Sequence, residues 1–125
     1  MAKISVADEK GIRIIRVKGK LVLGEGADAL HETVDRSLEE GKTKIIVSLA
    51  EITHLDSSGL SELIVSKKHA VDRKAAMKIV LPKKDQPRNV LLLTMLHKVF
   101  ECFDTEEEAM AAFEQKEIPE PTGAR

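Results

Sequence analysis

Aromatic side chains are scarce in this chain: three Phe in 125 residues, with no Trp and no Tyr. Proteins that hold single-stranded nucleic acid stack bases on aromatic platforms, and that chemistry has little to work with here. Net charge is missing too. Twenty basic residues nearly cancel twenty-one acidic ones, so no global field draws the chain to nucleic acid or to an anionic membrane, and any partner has to be recognised locally. Cys102 is the single cysteine. No internal disulfide can form, and its place in Val99-Phe100-Glu101-Cys102-Phe103 reads as a small core or strand residue rather than a nucleophile. The longest apolar runs, residues 45–49 and 90–93, fall far short of a membrane span, and no charged-then-apolar leader opens the sequence. A soluble cytoplasmic protein is expected, with neither a nucleic-acid nor a membrane partner.

What is present is enough for one core. With 42% hydrophobic residues, a chain of this length forms a single domain, expected over residues 1–117. Residues 118–125 carry Pro119, Pro121 and Gly123 and read as a flexible tail. Residues 3–6 and 12–21 read as two strands around a Lys10-Gly11 turn. Ala27, Leu30, Val34 and Leu38 recur at helical spacing, with Gly41 as the stop. Residues 44–49 are apolar on both faces, as a central strand covered on both sides would be. A second helix follows from Leu60 with Leu63, Ile64 and Val71 as its apolar positions. Residues 77–81 form a short strand, Asp85-Gln86-Pro87 opens a third helix running to about His97, and residues 99–103 give a last strand. Thr105 with Glu108 makes a capping box ahead of a final helix. The order β-β-α-β-α-β-α-β-α predicts an α/β fold: a mixed, mostly parallel sheet of about five strands with about four helices.

In such sheets functional groups gather where strand C-termini meet helix N-termini, and Asp56-Ser57-Ser58-Gly59-Leu60 stands at such a junction. Helix N-termini offer unpaired N–H groups and a positive dipole end, so a phosphate on Ser57 or Ser58 would be favoured there. Taken alone, Asp-Ser-Ser-Gly is ordinary loop and cap composition. A serine hydrolase needs a Gly-x-Ser-x-Gly elbow or a histidine base, and His54 is the only histidine near in sequence. A phosphoryl-accepting Asp56 needs further carboxylates for Mg²⁺, which the first strand does not offer. Leu23-Gly24-Glu25-Gly26 lacks the Gly-Lys-Ser/Thr ending of a nucleotide loop. No catalytic residue, cofactor or metal is expected, and the chain reads as a non-enzyme. Two charge clusters stand out: eight basic against two acidic residues over 67–88, and eight acidic against Lys116 over 101–120. Each reads as a solvated helix face.

Residues 44–65, with Ile-Ile-Val-Ser-Leu and His-Leu-Asp-Ser-Ser-Gly-Leu, combine with Leu92-Leu93-Thr94-Met95-Leu96, Val99-Phe100 and Thr105-Glu106-Glu107-Glu108-Ala109 into a pattern that resembles the STAS domain of bacterial anti-sigma factor antagonists. The resemblance implies that Ser57 is phosphorylated by an anti-sigma factor that is also a serine kinase, with Asp56, Ser58, Gly59 and Leu60 completing the partner-binding loop. It implies binding of that kinase when unphosphorylated, release when phosphorylated, and resetting by a PP2C-type phosphatase. A monomer or weak dimer is expected. The chain departs from the family at Gly19-Lys20-Leu21-Val22, where a carboxylate is common, and at Ser61 and Met95, where glycines are. A scaffold of the stressosome type, or a small-anion-binding regulator, is the alternative within the same family.

Overall fold

The structure, a computed structural model, describes residues 2–94 and 98–115. The chain builds β1 (Ala2–Glu9), β2 (Ile12–Leu21), α1 (Glu25–Glu39), β3 (Lys44–Leu55), α2 (Ser57–Asp72), β4 (Ala76–Val80), α3 (Asp85–Leu93), β5 (Glu101–Phe103) and α4 (Glu106–Gln115). One five-stranded sheet has the order β1-β2-β3-β4-β5. β1 is antiparallel to β2 and all other neighbours are parallel, which is the mixed, mostly parallel α/β sheet that the order of elements predicts.

Local signals explain most boundaries. Lys10 and Gly11 take φ of 54° and 78° and place Glu9 opposite Ile12, a two-residue turn whose twist suits a hairpin. Gly41, at φ 87°, ends α1: its N–H donates to the Leu38 carbonyl (3.0 Å) while that of Lys42 donates to Ser37 (3.1 Å), satisfying two carbonyls the helix leaves open. Thr105 Oγ1 accepts from the Glu108 N–H at 3.1 Å, and Glu108 reaches back to the N–H of Asp104. The box is therefore one residue wider than expected on its return arm.

The sheet is covered on both faces. α1, α2 and α3 contribute Leu30, Val34, Leu38, Leu63, Ala70 and Leu91 to one cluster with Ile15, Val17, Ile45, Val47 and Met77. α4 covers the other face, where Ala109 and Phe113 meet Ile12, Ile14, Ile46 and Val80. Lys78 lies wholly buried beneath α4, its ammonium 2.8 Å from Glu101 and 4.7 Å from the centre of the Phe113 ring, so charge pairing and ring contact replace the water it loses.

Several elements differ from expectation. β3 runs to Leu55 rather than ending at Leu49, because two register shifts against β2 insert extra residues and move the inward positions from Leu49 to Ile52 to Leu55. A spacing of three breaks the alternation by which a strand is recognised. α2 starts at Ser57, not Leu60, and buries Gly59, Leu63, Ser66 and Ala70. Ile64 and Val71 point outward, 43% and 58% exposed. β1 is longer than residues 3–6, since its hairpin pairing with β2 extends from Ala2 to Glu9. β4 sits one residue earlier than expected, and β5 is confined to the three residues that pair with it. α3 ends at Leu93. The expected helix end near His97 and the tail lie outside the described residues.

Phe113, 2% exposed, is the main apolar anchor of α4. Phe113→Ala is expected to lower stability by about 3–5 kcal/mol, read from the midpoint of a urea unfolding curve.

Candidate functional site

Asp56 alone connects β3 to α2. Its extended backbone (φ −120°) makes it the N-cap, and its two carboxylate oxygens serve different segments. Oδ1 accepts from the Gly59 N–H at 3.0 Å; Oδ2 accepts from the Leu23 N–H at 3.1 Å. The first bond closes the opening turn of α2, and the second ties that turn to the segment leading into α1. These amide contacts, first Gly59 and then Leu23, hold the Asp56 carboxyl below its ordinary value of 3.8. Asp56 is thus committed to shaping the junction. Among the described residues it belongs to no group of three His, Cys or carboxylate side chains that could hold a metal ion.

Glycine is required at position 59 by space. A Cβ there would fall on the Leu21 carbonyl oxygen and lie 2.8 Å from Leu55 Cδ1, so the helix backbone presses directly on the end of β2. Gly26 does the same in α1, where a Cβ would stand 2.6 Å from the Lys20 carbonyl oxygen. Both helices therefore open against the last two residues of one strand. The third support is Gln86 of α3. Beyond Ser48, β3 has no β4 neighbour, and at Leu55 the Gln86 amide takes the place of one: its oxygen accepts from the Leu55 N–H (3.0 Å) and its nitrogen donates to the Leu55 carbonyl (3.2 Å). Sequence reasoning missed Gln86, Gly26 and the Leu23 link; the two glycines close to helix starts were the one available signal.

On this frame Ser57 is the first residue of α2 and is exposed, Ser58 is half-buried, Gly59 is buried and Leu60 is half-buried against the core. The five expected site residues are therefore contiguous in space, but only the first two helical positions face outward. A shallow groove of about 290 Å³ runs between α1 and α2, lined by Leu23, Ala27, Asp28, Ser57, Glu62 and Val65 together with Gly24, Ser58 and Ser61. Leu23 is 77% exposed. The lining has apolar patches and two carboxylates, with no basic residue. His54 stands apart from it, its Nδ1 2.9 Å from Thr53 Oγ1. Cys102 is half-buried, and burial pushes its thiol up to about 11, which is the behaviour of a packed thiol and not of a nucleophile.

A family model for the STAS domain matches residues 3–109. The chain belongs to the STAS domain family. Its fold is shared with an anti-sigma factor antagonist from Mycobacterium paratuberculosis, 21% identical over 90% of this chain and 93% of that one, with a TM-score of 0.80. A putative anti-sigma factor antagonist from Thermotoga maritima is 24% identical over 87% of this chain and 92% of that one, at 0.78. The anti-sigma factor antagonist SpoIIAA, in its unphosphorylated form, is 15% identical, covering 93% and 100%, at 0.69. The phosphorylated form of the Bacillus cell-fate determinant SpoIIAA is 19% identical, covering 89% and 99%, at 0.64. In this STAS domain no helix among the described residues is long and apolar enough to cross a membrane.

Removing the cap by Asp56→Ala is expected to cost about 1 kcal/mol of stability. Because the folded carboxyl is held below 3.8, its contribution is complete above that pH and disappears as pH falls through the depressed value. Wild type and Asp56→Ala should therefore differ in thermal midpoint at neutral pH and converge in strong acid.

Proposed function

We propose that this STAS domain is an anti-sigma factor antagonist switched by phosphorylation of Ser57. Unphosphorylated, it docks the groove between α1 and α2 onto an anti-sigma factor with serine kinase activity; phosphorylated, it lets go, and a PP2C-type phosphatase restores it. The observation that carries the reading is the position of Ser57: an exposed hydroxyl at the first position of α2, on the rim of a groove lined by Asp28 and Glu62. The anti-sigma factor antagonists among its structural neighbours, and the existence of a phosphorylated SpoIIAA, support it.

The physics of release follows from charge. A phosphate adds about −1.5 to −2 beside Asp56, Asp28 and Glu62, and no basic side chain lines the groove to neutralise it. A partner burying that surface has to desolvate the whole cluster, a cost that outweighs the roughly 1–3 kcal/mol of a regulatory equilibrium. In the free protein the same phosphate stays in water at the positive end of a sixteen-residue helix. Modification therefore acts on binding and leaves folding nearly unchanged. In this scheme the domain is a substrate and a binding module in the cytoplasm; the ATP site and the catalytic groups belong to the kinase.

Isothermal titration against the anti-sigma factor kinase of the same organism tests the scheme. Ser57→Ala is expected to bind within about threefold of wild type, and Ser57→Asp at least about tenfold more weakly, a difference of ~1.4 kcal/mol. Equal affinity for Ser57→Asp would falsify the switch. Large homogeneous assemblies of the chain with no kinase partner would favour a stressosome-type scaffold instead.

A further inference from the structure

Away from Ser57, the seam between α1 and α2 brings together side chains that the switch does not use. His31 and Asp35 stand one turn apart on α1, and His69 reaches them from the last turn of α2. One Asp35 oxygen lies 3.1 Å from His31 Nε2 and the other 3.0 Å from His69 Nδ1. The three ligand atoms fall within 4.8 Å of one another. A tetrahedral ion with bonds of about 2.0–2.2 Å holds its ligand atoms roughly 3.3–3.6 Å apart; the two contacts are a little shorter and use different Asp35 oxygens, and small side-chain rotations would bring one oxygen and the two imidazole nitrogens to that spacing. All three side chains are a little over one-third exposed, so an ion can enter and a water can fill the fourth position.

A second observation concerns the far side of His31. Its Nδ1 lies 2.8 Å from Glu62 Oε2, and that same oxygen accepts from Ser66 Oγ at 3.2 Å. Metal-binding histidines characteristically donate their other ring N–H to a carboxylate, which fixes the tautomer and aims the free lone pair at the ion. With Glu62 holding Nδ1–H, the Nε2 side of His31 faces the gap shared with Asp35 and His69, and an ion entering there would displace the proton that Nε2 directs at Asp35. The adjoining recess is lined by Glu39, Asp72 and Arg73 as well as Asp35 and His69, so its formal balance of three carboxylates to one guanidinium favours a cation.

We propose that His31, Asp35 and His69 form a binding site for a divalent transition metal of the zinc class, oriented by Glu62 and joining α1 to α2. Two imidazoles with one carboxylate suit zinc and its neighbours and not Mg²⁺, which prefers oxygen ligands. The three ligands stand apart from Ser57, but Glu62 lines the docking groove as well as orienting His31, and the ion would brace the two helices that flank that groove.

The test uses the untagged full chain, stripped with EDTA and titrated with ZnCl₂ by calorimetry, with the thermal midpoint followed in parallel. The expected result is one Zn²⁺ per chain and a raised midpoint, with no response to Mg²⁺. Asp35→Asn and His69→Ala should each weaken binding at least about tenfold, and Glu62→Gln should weaken it by about 10- to 100-fold. His54→Ala, outside the cluster, should change nothing. Circular dichroism of the metal-free variants shows that each is folded, and Co²⁺ substitution should give the intense visible bands of a tetrahedral site in wild type and His54→Ala but not in Asp35→Asn or His69→Ala. Failure of wild type to bind Zn²⁺, or unchanged affinity in folded Asp35→Asn and His69→Ala, overturns the proposal whatever the outcome at Ser57.

Discussion

The Asp56 carboxylate is the constraint on which the β3–α2 junction, the proposed switch region, depends. By accepting from Gly59 with one oxygen and from Leu23 with the other, it makes two loops that are 33 residues apart in sequence into one surface. Without it the start of α2 would fray and the groove would lose a wall. The bonds are charge-assisted and so stronger than neutral ones, yet they lie near solvent. They hold position more than they add to global stability.

Rigidity beneath that surface comes from close backbone approach. Gly26 and Gly59 let two helices open against the carbonyl oxygens of Lys20 and Leu21, and Gln86 completes the hydrogen bonding of Leu55 where the sheet stops. A side chain standing on such a frame is presented in a fixed place, and a change in its charge is felt by whatever docks there and little by the core below. The proposed switch is thus separable from the fold: the core clusters lie on either side of the sheet, and the exposed Ser57 stands just past the C-terminal end of the central strand β3.

Much of this was legible in the residues. The Lys10-Gly11 turn, the Gly41 stop and the Thr105 cap each follow from local backbone chemistry, and local chemistry is what a sequence displays. The start of α2 was harder, because Ser-Ser-Gly has loop composition while the cap that makes it helical is one side chain, Asp56, bonded to an amide three residues on. The second half of β3 was hidden by its bulges, which set Leu49, Ile52 and Leu55 at intervals of three. Ile64 and Val71 misled for a related reason: the buried stripe of α2 runs through Gly59, Leu63, Ser66 and Ala70, and apart from Leu63, which the sequence did indicate, these are small residues invisible to a search for large apolar ones. The position of Ser57 was readable; the groove beside it was not, since its walls come from segments distant in sequence.

The central claim is that the Ser57 hydroxyl receives the phosphate. The decisive measurement incubates the protein with ATP and the proposed anti-sigma factor kinase of the same organism and maps any modification by mass spectrometry. A single phosphate on Ser57, and none in the Ser57→Ala variant, is expected. A phosphate on Ser58 or Ser61 instead, or a fully active kinase that leaves the chain unmodified, would contradict it.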